Sequence, residues 1–332
     1  MVNKIVSRYT DSVEENIVEE LDELDELFEF AEYDQAEAER GGYSNYSYWR
    51  STFQVFFNNK VAKFCLILMT VLLVFTFIQP YLPNQKSPTK IHIDPDTKMP
   101  IANHPPDSEF WFGTNSIGQD LWSRVWNGSR TSLMIGIIVA LVEALIGVVV
   151  GTAWGYVKWL DRPLTEIYNV INNIPNTIIM ILMTYILKPG LSTMIIAICI
   201  TSWIAMARFV RNLTIIIRDR EYNLASRCLG TPTWRIITKN LLPYLVSVIV
   251  LNTAISVAST IGYEVFLTYI GLGLPVSIPS LGNLINEGRM LMMIPTQRYQ
   301  LIFPSIIVSI ITISFYVMGN VFADSADPKN HV

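Results

Sequence analysis

Six separated apolar runs, each long enough to cross a bilayer as a helix, limit what this chain can fold into. A helix needs about 20 residues to span the hydrocarbon core. Runs of that kind lie near 61–81, 132–156, 167–187, 191–207, 244–270 and 301–321. The first contains FCLILMTVLLVFTFI, without a charge; the third is interrupted by Pro175 and several asparagines. A single long run could be a buried core helix. Six in one chain with 51% hydrophobic and only 16% charged residues could not, because soluble domains carry roughly 25% charge. The expectation is an all-α membrane protein with six transmembrane helices. Disordered chains, basic nucleic-acid binders and disulfide-built secreted domains are excluded by the same composition and by the three cysteines. The first apolar run begins too late for a secretory signal.

Charge is segregated along the chain. Residues 1–40 hold 14 of the 28 acidic groups and three of the 24 basic ones. In the remainder, 21 bases exceed 14 acids by seven. A stripe of Ile17, Leu21, Leu24, Phe28 and Ala31 recurs at helical spacing in the acidic tail. It reads either as a solvated extension or as a docking helix for a basic partner. Lysines and arginines in short loops set orientation. The 208–243 segment carries Arg208, Arg211, Arg218, Arg220, Arg227, Arg235 and Lys239 against Asp219 and Glu221, so it is placed in the cytoplasm. Six spans then place both termini on the cytoplasmic side of a multi-pass protein of the cell membrane. The domain reading is an acidic extension (1–45), an amphipathic lead-in with span one (46–81), an external loop (82–131), five further helices (132–321) and a cytoplasmic tail (322–332).

Several chemistries are missing from the sequence. It has no G-x-x-x-x-G-K-[ST] nucleotide loop and no H-E-x-x-H, and its three histidines lie outside the spans. A catalytic role, a metal site and a bound cofactor are therefore not expected. A pore, a carrier or the membrane half of a larger machine remains. Within 208–243, Glu221–Leu229 can form a short helix, Gly230 can stop it, and Thr231 with Pro232 can start the next, with Pro243 opening span five. Either this is a helix–turn–helix that a partner grips, or it is a basic loop near anionic lipid.

The segment resembles the EAA signature of ABC importer permeases. The signature's Ala pair falls on Ala225 and Ser226, its Gly on Gly230, and its His-x-x-Pro on Asn240–Pro243. Leu224 stands in place of the signature's Glu, and Asn240 in place of its His. A second stretch, FGTNSIGQDLWSRVWNGSRTSL, resembles the external motif of the C-type subunits of dipeptide and oligopeptide permeases. Gly113, Thr114, Gly118, Asp120, Arg124 and Arg130 match it, while Asn115 and Gln119 replace an Asp and an Arg. A third, YEVFLTYIGLGLP, is similar to the family's motif around Glu264. The acidic tail and the motif spacing resemble the AmiD-type oligopeptide permeases in particular.

That resemblance implies a type I ABC importer permease fold with a cytoplasmic coupling helix, and a permease subunit of an ATP-driven oligopeptide importer. It implies a heterodimer with a second permease, two cytoplasmic ABC ATPases that use ATP and Mg, and an extracellular peptide-binding protein. Glu221, Tyr222, Leu224, Ala225, Ser226, Arg227, Gly230, Thr231 and Arg235 become candidates for ATPase contact. Glu143, Asn172, Asn173, Tyr263 and Glu264 become candidates for the solute path or gate; for Glu143 a structural hydrogen bond between helices is an equal alternative. Gly147, Gly151 and Gly155 form a small-residue face suited to close helix packing. Nickel or antimicrobial peptide is an alternative solute. A self-sufficient carrier or channel, and a scaffold or sensor working through its tail, are the rival classes.

Overall fold

A computed structural model describes residues 48–188 and 190–326. The acidic tail lies outside these residues. The regular structure of the described residues is helical, with isolated bridges (Ile91 with Gln119, Ile93 with Pro100, Thr114 with Asp120) in the irregular 82–120 segment as their only β pairing. A lead-in helix α1 (Tyr48–Asn58) precedes α2 (Lys60–Ile78). Asn59 divides them, its side chain accepting from the N–H groups of Val61 (2.9 Å) and Ala62 (3.2 Å). After residues 79–120 come α3 (Leu121–Tyr156), α4 (Lys158–Asn172), α5 (Asn176–Leu187) and α6 (Leu191–Arg218). A short α7 (Glu221–Cys228) leads into the long rod α8 (Thr233–Tyr269), then α9 (Leu281–Met290) and α10 (Tyr299–Ala326).

Five of these helices are long and apolar enough to cross a membrane, and a sixth span is reached if the bent pair α4–α5 counts as one. Several boundaries move from the sequence expectation. The second span starts at Leu121, not 132, because Asp120 caps it by accepting from the Ser123 N–H at 2.9 Å. The external loop is shortened accordingly. The third span is two helices meeting at 78°, since Pro175 cannot donate to the ladder. The fourth runs on to Arg218, carrying its basic residues on a continuous helix. The fifth begins at Thr233. A π-helical turn at Ile236–Leu241 leads into the α-helical stretch Leu242–Tyr269, which has Pro243 in its first turn. The last helix extends through Ala326 into what was read as tail.

The core is a helix bundle whose best-packed pair is α3 with α6. Leu72, Leu133, Ala140, Val257, Ile261 and Ile311 join α2, α3, α8 and α10. Ile135, Val139, Met180, Met194 and Ile198 join α3, α5 and α6. Outward residues such as Phe64 and Val71 on α2 and Leu141 and Leu145 on α3 stay exposed. In water such faces would be costly; in hydrocarbon they are the solvated surface.

Candidate functional site

The turn between α6 and α8 has a defined build. Gly230 sits at φ +75°, where L residues are strained. Its N–H donates to the Arg227 carbonyl at 2.9 Å, and the Thr231 N–H donates to the Ser226 carbonyl at 3.0 Å. This is the paired closure of a Schellman cap, with glycine at the left-handed position. The next helix starts at Thr233, and Pro232 rather than Thr231 precedes it.

Asn223, which sequence reasoning passed over, fastens the turn. It is fully buried, its Nδ2 donates to the Ile217 carbonyl of α6 at 2.8 Å, and its Oδ1 accepts from Asn240 Nδ2 of α8 at 2.9 Å. The clue was available: Asn240 stands where the signature has His, so a polar partner for it could be sought nearby. Arg227 turns back toward the bundle, donating to the Arg218 carbonyl and lying 5.4 Å from the Tyr156 ring. Arg218 donates to the Gly155 carbonyl at 2.8 Å and pairs with Asp219. That guanidinium holds the Asp219 carboxyl below the usual carboxylate range. Tyr222 stacks at 6.2 Å on Tyr244.

Exposed apolar side chains stand out on the turn among exposed polar ones. Leu229 is 85% exposed and Trp234 67%, with Tyr222, Leu224 and Ala225 also exposed. Glu221 and Arg235 flank them on the same open side, and Ser226 and Thr231 are half-buried. A rigid element with an apolar crest, tied to two spans, can pass displacement from a partner to both helices.

The three glycines of α3 face α6. An added Cβ would lie 2.4 Å from Met206 Cγ at Gly147, 2.4 Å from the Ala207 carbonyl oxygen at Gly151 and 2.7 Å from the Arg211 carbonyl oxygen at Gly155. α6 therefore lies flush along α3 down to the turn.

The Phe112–Leu133 motif builds a cap over the Leu121 end of α3, α9 and the Tyr299 end of α10. Gly113, at φ +75°, leaves no space for a Cβ beside the His104 carbonyl and the Tyr299 ring. Thr114 is buried, its hydroxyl donating to the Ile101 carbonyl and accepting from the His104 N–H. The Gly118 carbonyl accepts from the His92 N–H at 2.8 Å. Arg124 is 2% exposed and donates to Glu287 at 2.7 Å and to Gln119. Burial pushes the Glu287 carboxyl up, and the Arg124 charge draws it back. Asn115 donates to Gln119 at 3.1 Å, so two amides occupy the places of the motif's Asp and Arg. Arg130 donates to the Thr76 carbonyl of α2 at 2.8 Å.

The candidates for a solute path are not one cluster. Glu143 is half-buried and accepts from the Ser256 hydroxyl of α8. Asn172 and Asn173 are exposed at the α4–α5 break, with Asn173 donating to the Asn169 carbonyl at 2.7 Å. Tyr263 is 37% exposed, but Glu264 is fully buried. Its carboxylate accepts from the Ser132 hydroxyl (2.9 Å) and the Gly282 N–H (3.3 Å), pinning the start of α9 to α3 and α8. Gly282 gives it room, since a Cβ there would lie 2.5 Å from Glu264 Oε1. Among the described residues no His, Cys, Asp and Glu group could hold a metal ion.

Residues 132–332 match the family described as binding-protein-dependent transport system inner membrane component, and residues 47–106 match the N-terminal TM domain of oligopeptide transport permease C. The chain is 38% identical to the oligopeptide transport system permease protein AmiD of Streptococcus pneumoniae, over 86% of this chain and 91% of that protein. It is 34% identical to the dipeptide transport system permease protein DppC of Bacillus subtilis, over 88% and 89%. The MetNI methionine ABC transporter in an inward-facing form aligns to 61% of this chain and 96% of its own at TM-score 0.47 and 21% identity. The chain belongs to the family of binding-protein-dependent transport system inner membrane components.

Proposed function

We propose that this multi-pass membrane protein is one permease subunit of an ATP-driven importer of peptides. Two cytoplasmic ATPases would hold α7 and the Gly230 turn, a second permease would complete the path, and an external binding protein would deliver the solute to the cap. The observation that carries the coupling role is the exposed crest of Leu224, Leu229 and Trp234 on a base strapped to α6 and α8 through Asn223. Peptide as solute rests on the relatives, which are oligopeptide and dipeptide transport permeases. The basic α6–α8 segment would lie in the cytoplasm, with both termini on that side.

Closure of the ATPases would move the crest. α6 would follow through Ile217, and α3 with it through the glycine face; α8 would follow through Asn240. Inverting a 1:99 inward-to-outward equilibrium takes about 5.5 kcal/mol of differential binding. ATP and Mg would reside on the partners, and this chain supplies no catalytic group. Glu143, Asn172, Asn173 and Tyr263 are the residues that would meet the solute. Gly230→Val tests the coupling role, because a β-branched residue at φ +75° deforms the cap while leaving the spans untouched. The complex is expected to hydrolyse ATP with little uptake. Normal uptake would remove the assignment.

A further inference from the structure

Among the described residues Arg208 has no counter-ion. It follows the uncharged 17-residue run Leu191–Ala207 of α6, about 25 Å of helix, which places it at the edge of the hydrocarbon layer. Its guanidinium lies 4.7 Å from the centre of the Tyr168 ring and 5.9 Å from that of Trp154. Nη1 is buried without a hydrogen-bond partner, and among the described residues no carboxylate pairs with Arg208. The nearby Asp161 is taken: Arg211 donates to its Oδ1 through Nε at 2.8 Å and through Nη2 at 2.5 Å. An unpaired cation at this depth is costly unless an anion meets it.

The surroundings fit a membrane surface. α4 turns away from α3 at Val157 and has no fully buried residue. Leu160, Leu164, Tyr168 and Ile171 cover the bundle. A second sector of Trp159, Pro163, Ile167 and Val170 is exposed, with Trp159 75% open. A third holds Arg162, Glu166 and Asn169. A helix with a packed face, an exposed apolar face and a polar face suits the inner boundary of the membrane, where α4 would open the bent crossing that α5 completes. Aromatic rings at that level are the usual anchors.

We propose that Arg208, seated on Tyr168 and Trp154 beside α4, binds the phosphate of an anionic phospholipid in the inner leaflet. The site rests on the membrane orientation and not on the identity of the solute. Cation–π contact holds the guanidinium and leaves donors other than the enclosed Nη1 for phosphate oxygens. Bound lipid would pin the α3–α4 corner against α6.

The test uses the complete transporter in nanodiscs of phosphatidylglycerol and phosphatidylcholine in equal parts. Lipid retained by the complex is counted by native mass spectrometry, and melting temperature is measured in parallel. The wild type is expected to retain phosphatidylglycerol and to melt higher with it than in phosphatidylcholine alone. Arg208→Gln should retain about fivefold less and lose the melting difference; Tyr168→Leu should weaken both in the same direction. Unchanged retention in both variants overturns the site. Departure of the second permease from the Arg208→Gln complex would assign the cation to a subunit interface instead. Equal protection of the wild type by inorganic phosphate in phosphatidylcholine discs would assign it to a soluble anion.

Discussion

Asn223→Ala isolates the strap from the crest it supports. The side chain makes one hydrogen bond to α6 (2.8 Å) and one to α8 (2.9 Å) from a fully buried position. Each such bond contributes about 1 kcal/mol net, and the groups left behind lose more where water cannot reach them. The Ile217 carbonyl and the half-buried Asn240 amide would both lose a partner. A loosening of about 2 kcal/mol follows, which multiplies the undocked population of α7 roughly thirtyfold. The alanine removes nothing from the apolar crest, so ATPase binding should persist. The assay is peptide uptake and ATP hydrolysis measured side by side in proteoliposomes holding the complete complex. Uptake per ATP is expected to fall severalfold while hydrolysis continues. Asn240→His keeps a donor facing Asn223 and should retain most of the coupling. An Asn223→Ala complex with the wild-type uptake-to-hydrolysis ratio would refute the strap.

Two further outcomes follow from packing. Gly151→Val should lower the melting temperature of the complex by the equivalent of about 1–3 kcal/mol, because even its Cβ would lie 2.4 Å from the Ala207 carbonyl oxygen; Gly262→Ala, with open space at its Cβ, should not, and equal melting of the two would contradict the α3–α6 contact. Glu264→Ala leaves the Ser132 hydroxyl and the Gly282 N–H without their acceptor, so proteolysis near α9 should accelerate and stability drop by about 2–4 kcal/mol, whereas Glu264→Gln should cost less than half as much; indistinguishable protection in the alanine variant would sink the clamp.

The spans were legible because apolar length is a local property of the sequence. Their ends were less so. Leu121–Thr131 reads as loop by hydropathy, yet Asp120 and the buried Arg124–Glu287 pair carry the helix outward into the cap. Pro243 does open the α-helical stretch Leu242–Tyr269, but the π-turn that joins it to Thr233 is a geometry that spacing does not announce. The glycine face and the Gly230 turn were readable from spacing and from residue type. No periodicity marks Asn223, a lone Asn in a basic segment; its one pointer was Asn240 in the signature's His place, which calls for a polar partner. Glu264 stood out as a charge in a span, but only three-dimensional contacts place it against Ser132 and Gly282 and away from an open surface.

The grip of a motor protein on the Gly230 turn is tested most directly by cross-linking. Leu229→Cys puts a thiol on the most exposed side chain of the crest. In membranes holding the assembled transporter, a short bifunctional thiol reagent should join it to single cysteines placed on the ATPase surface, and added ATP should change the yield. Cross-links confined to lipid-facing controls, with none to the ATPase from Leu229→Cys or from Leu224→Cys, would contradict the account.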